Sequence, residues 1–84
     1  MISEGMQQIV DQEFRNLTTR HFERPENCRN LDQTRFYIRE LCEKIREYEK
    51  SFNYVPVWVY YLLSEYNNVQ NSMIYADFQS TYAY

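Results

Sequence analysis

Glycine occurs once and proline twice in the 84 residues. A many-stranded sheet turns back every few residues and draws on both for its turns, so this scarcity argues against most β architectures and for helix. Cysteine is scarce as well. Cys28 and Cys42 are too few for a disulfide scaffold, and they share no C-x-x-C spacing with which to begin a metal site. With one histidine, His21, general acid-base chemistry lacks a partner set. No apolar run approaches the roughly 20 residues that span a bilayer. The N-terminal stretch "MISEGMQQIVDQEF" is broken by Glu4, Gly5 and Asp11, so it does not form the apolar centre of a signal peptide. These absences lead to the expectation of a cytoplasmic protein with free thiols, no membrane association and no cofactor.

Basic charge is missing from one part of the chain. All nine lysines and arginines lie between Arg15 and Lys50, seven of them arginine, and from Ser51 onward only Glu65 and Asp77 are charged. The net charge of −3 argues against a DNA binder that gains affinity by neutralising phosphates, so no specific DNA binding is expected. Aromatic residues, by contrast, are abundant. Ten of them fall after Ser51, among them Trp58, Tyr60, Tyr61 and Tyr66. A domain of this size cannot bury so many, and the surplus is expected at an interface or a pocket.

The apolar periodicity predicts three helices in a single domain spanning residues 1–84. From Leu31 to Phe52 the inward candidates Leu31, Thr34, Ile38, Leu41, Ile45, Tyr48 and Phe52 alternate spacings of three and four, one face of a packed helix. Asn30 is placed to cap it, with Gln33 where the partner of a capping box belongs. Glu40 and Lys44 are expected to pair across one turn. After Val55-Pro56 a second seam of the same period runs through Val55, Val59, Leu62, Tyr66, Val69, Met73 and Ala76. "VPVWVYYLL" also has the composition of a strand, but the unbroken seam favours helix. A first helix is predicted from Ser3 to Thr19, with Ile2, Met6, Ile9, Val10, Phe14 and Leu17 on one broad side. The fold class is therefore all-α: a three-helix bundle built on an antiparallel hairpin, and the aromatic surplus suggests that it is a homo-oligomer.

Two regions stand out as candidate sites. "RHFERP" gathers Arg20, His21, Phe22 and Arg24 after the first helix, and Arg35 and Arg39 lie one turn apart near the start of the second. If the linker folds back, guanidinium groups converge beside an aromatic face, which suits a nucleobase carrying phosphate. The alternative is structural: Arg20 and Arg24 would neutralise a helix C-terminus and local carboxylates while Phe22 fills the core. The second region is Trp58, Tyr60 and Tyr61, aromatic anchors of the kind found at protein interfaces. Neither a cysteine nucleophile nor a metal centre finds a full set of partners, so an enzyme is not expected.

The layout resembles the small phage-encoded sponges that counter CBASS defence by sequestering cyclic oligonucleotides. Arg20, Phe22 and Pro25 are similar to that family's basic-aromatic segment leading to a proline, and Ile38-Arg39 to the Ile-Arg of its next helix. The chain departs from the family in its last helix. Asn67-Asn68-Val69 stands where the family has a Glu-Glu pair and a hydrophobe, "NSMIYA" replaces its Trp-Ala-Asn signature, and "NYVPVWVYY" replaces the loop before it. The resemblance implies a compact, helical, oligomeric protein that binds a cyclic nucleotide without degrading it. The competing expectation, from composition, is an inhibitor or adaptor that engages a protein through its aromatic last helix.

Overall fold

The computed structural model describes residues 2–82, and for 80–82 the backbone alone. Among the described residues it contains three α-helices, α1 (Glu4–His21), α2 (Leu31–Phe52) and α3 (Val57–Tyr82), with a short 3-10 turn, Pro25–Asn27, between the first two. Among the described residues the fold is all-helical, and none of these helices is long and apolar enough to cross a membrane.

Local chemistry sets the boundaries. Ser3 caps α1 by accepting from the Met6 N–H at 3.2 Å. The helix runs two residues beyond the predicted Thr19, so Arg20 and His21 belong to its last turn. There the Arg20 charge complements the helix dipole. Asn30 caps α2 through the Gln33 N–H at 2.8 Å, while the Gln33 side chain reaches past Asn30 to accept from the Arg29 N–H at 2.7 Å. The capping box is thus displaced by one residue on its return bond. α2 closes at Asn53, which adopts a left-handed conformation at φ 52° and donates its N–H to the Glu49 carbonyl. Pro56 ends the connection, and its carbonyl takes the Val59 N–H at 3.1 Å. "VPVWVYYLL" is helix from Val57 onward, which excludes the strand reading.

The three helices run up, down and up. Phe14 packs on Tyr48 near the end of α2, with centroids 4.7 Å apart, and Phe22 on Tyr37 near its start at 5.2 Å. α1 and α2 are therefore antiparallel. Along the hairpin, the Tyr60 hydroxyl donates to Glu49 at 3.0 Å, Tyr37 meets Tyr66 at 5.8 Å, and the Thr34 hydroxyl lies 3.4 Å from the Met73 sulfur. The core consists of Val10, Phe14, Leu41, Ile45, Val59 and Tyr66. Every predicted seam position of α2 is buried or half-buried, as are those of α3 up to Met73, but Ala76 is exposed. α1 contributes less than its apolar positions imply, because Met6 and Ile9 face outward. Thr34 is the polar member of the core, and its hydroxyl donates to the Asn30 carbonyl at 2.9 Å. On the outer face, Lys44 pairs with Glu47 at 3.3 Å and not with Glu40.

The molecule measures 57 × 22 × 15 Å, with a radius of gyration of 15.4 Å. A compact domain of this length has about 12 Å. Much of the elongation comes from α3, whose register with α2 places Met73 beside Thr34, so its last turns extend past the start of α2.

Candidate functional site

A cavity of about 600 Å³ opens between the end of α1, the linker and the first half of α3. That is within the usual range for small-ligand sites. Its walls are Phe22, Trp58, Tyr61, Leu62 and Tyr66, and its polar rim includes Thr18, Thr19, Glu23, Arg24, Asn27 and Glu65.

Three of the wall residues, Phe22, Trp58 and Tyr66, are held by specific contacts. The Tyr66 ring is buried at the centre of the hairpin, and its hydroxyl donates to the Glu23 carbonyl, tying α3 to the linker that follows α1. Burial pushes that phenol well above its ordinary range. Phe22, the first residue past α1, stacks on Tyr37 and tilts against Tyr66 at 6.3 Å. Trp58 is fixed from below: its indole N–H donates to the Asp11 carboxylate at 2.7 Å, and the Arg15 guanidinium sits 5.0 Å from its ring centroid. Arg15 and Asp11 are joined by a 2.7 Å ion pair. The hydrogen bond from Arg15, and after it that from Trp58, hold the Asp11 carboxyl below its usual value. Tyr61 has no such anchor and is 68% exposed at the rim.

The charge of the cavity is mixed and slightly negative. Among the described residues Arg24 is its single cation, and that guanidinium lies 3.9 Å from Glu26 with the side chain 79% exposed. Glu23 accepts from the Arg24 backbone N–H at 3.3 Å. Among the described residues, Glu65 makes no hydrogen bond or ion pair.

The structure joins parts of both sequence-predicted sites. Phe22 and Arg24 from the basic-aromatic segment line the same cavity as Trp58 and Tyr61 from the aromatic one. Arg20, His21, Arg35 and Arg39 lie outside it and are exposed, and Tyr60 turns away toward Glu49 on α2. Tyr66, Leu62, Glu65 and the two threonines belong to the site but were not singled out for it. Helical spacing carried part of the signal, since Trp58, Tyr61, Leu62 and Glu65 fall on one side of α3. What faces that side follows from the parallel approach of α1, which no local pattern encodes.

Catalytic and metal chemistry find little here. The half-buried Cys28 thiol points to the Arg24 carbonyl at 3.6 Å, and burial raises its pKa, away from the thiolate that a nucleophile requires. Among the described residues, no three His, Cys, Asp or Glu side chains come together as ligands. No family model, curated protein or solved structure matches the chain.

Proposed function

We propose that the chain is a non-catalytic helical binding module that receives a partner in the cavity between α1, the linker and α3, with Trp58 and Tyr61 as aromatic anchors. One observation carries this reading. A preformed cavity of about 600 Å³ is walled by aromatic side chains, and Tyr61 among them is largely exposed although burial would favour it. Aromatic anchors beside a concave surface are what partner recognition uses. The class is that of an inhibitor or adaptor, and self-association through α3 accompanies it.

A second reading is sequestration of an anionic ligand such as a cyclic oligonucleotide, as in the phage sponges. It draws on Phe22 and Arg24 in the cavity wall, and on Arg20, His21, Arg35 and Arg39, whose side chains have no ion-pair partner among the described residues. Stacking from Phe22 and a fork from Arg24 are the contacts a nucleotide would use.

Trp58 is the sole tryptophan and lines the cavity, so its emission reports occupancy directly. Titration with cyclic di- and trinucleotides and with short basic peptides is expected to shift that emission for one class. Tyr61→Ala should abolish the response while the melting temperature stays within a few degrees, because an exposed side chain contributes little to folding. A Trp58 signal unmoved by either class in the folded protein would refute the binding reading.

A further inference from the structure

We infer that the occupant of this cavity is a cation: the guanidinium or alkylammonium group of a basic segment in a partner protein. The inference rests on the binding reading above and specifies its chemistry. Three partly exposed aromatic residues, Phe22, Trp58 and Tyr61, line the cavity together with the acidic residues Glu23 and Glu65. Aromatic faces carry negative charge density and attract cations, most strongly where water is partly excluded. Nearby carboxylates add attraction of the same sign.

The molecule already contains one instance of this chemistry. The Arg15 guanidinium sits 5.0 Å from the Trp58 centroid, its charge balanced by Asp11. Arg15 is not part of the cavity lining, so the indole meets the cavity with another part of its surface. Glu65 repeats the role of Asp11 on the cavity side, where it has no cation of this chain to balance it among the described residues. Arg24 does not fill that role, because its guanidinium lies near Glu26 and is mostly in solvent. An anion entering the cavity would meet two carboxylates and one arginine, whereas a cation meets the favourable majority.

The test uses the full-length protein, a short peptide carrying two arginines, and its isostere in which both are citrulline. Citrulline keeps the shape and removes the charge. The arginine peptide should shift Trp58 emission, and the citrulline peptide should bind about tenfold more weakly, the span that cation–π contacts reach when partly desolvated. Glu65→Gln should weaken the arginine peptide severalfold and Arg24→Ala should strengthen it, with helix content unchanged by circular dichroism. The sign of the Arg24→Ala effect is decisive, since an anionic ligand would lose affinity in the same variant. Equal binding of the two peptides, or weaker arginine-peptide binding in Arg24→Ala, would overturn the cation assignment while leaving the cavity a binding site. Silence of Trp58 toward both peptides and toward cyclic nucleotides would overturn the binding reading and the cation assignment together.

Discussion

At the scale of single residues, the polar contacts between helices are made largely by aromatic hydroxyl and indole groups. Trp58, Tyr60 and Tyr66 each bury part of a ring and deliver a polar tip to another element. Tyr48 does the same from α2, donating to the Glu13 carboxylate at 2.6 Å, and this bond, reinforced by burial and by Glu47, lifts its pKa to about 12. The consequence for stability has a definite sign. A tyrosine in the unfolded chain ionises near pH 10, so between about 10 and 12 the unfolded state sheds a proton that the native state keeps. Stability contributed by Tyr48 is complete below about pH 10 and is lost as the pH rises through about 12. Tyr66, raised chiefly by burial, adds to the same alkaline limb. Urea unfolding across that window should give a free energy falling with pH. The fall should be shallower in Tyr48→Phe, which at neutral pH is destabilised by about 1 kcal/mol for the lost hydrogen bond. An equally steep fall in the variant would show that Tyr48 keeps no proton advantage in the native state.

At the scale of elements, legibility differed sharply between helices and site. α2 could be read from sequence at both ends because its determinants are local: Asn30 as cap, a regular seam to Phe52, and a break at Val55-Pro56. The end of α3 at its N-terminal side was equally local, set by Pro56. The cavity was not legible in this way, since its walls come from positions as far apart as Thr18 and Tyr66 and meet only through the packing of α1 beside α3. The basic-aromatic grouping joins two segments on the condition that the linker folds back, and of its six residues only Phe22 and Arg24 line the cavity. The local determinants make their own prediction at Asn53, whose φ of 52° suits asparagine and glycine far better than other residues. Asn53→Gly should leave the melting temperature nearly unchanged. Asn53→Val should cost roughly 1–2 kcal/mol or more, seen as a fall of several degrees in a thermal melt. Equal tolerance of both substitutions would mean that the turn does not hold the left-handed conformation.

At the scale of the whole molecule, the single chain leaves more surface open than its size requires. Its accessible area is 6333 Å², where a compact monomer of the same mass has about 5,400 Å². The surplus is not spread evenly. α3 is apolar on several sides and carries no lysine or arginine, and Ile74 and Tyr75, in the part that extends past α2, are 42% and 65% exposed. Self-association through this end of α3 would bury such groups without contesting the cavity, whose α3 residues all lie between Trp58 and Tyr66. Native mass spectrometry is therefore expected to find a dimer or larger assembly, and Ile74→Glu combined with Tyr75→Glu should convert it to a monomer of unchanged helicity. That double variant should still bind whatever ligand moves Trp58 emission, because the two surfaces are separate. A wild-type chain that is monomeric in native spectra would remove the assembly, and an assembling chain whose double variant loses the Trp58 response would instead make the cavity dependent on the second copy.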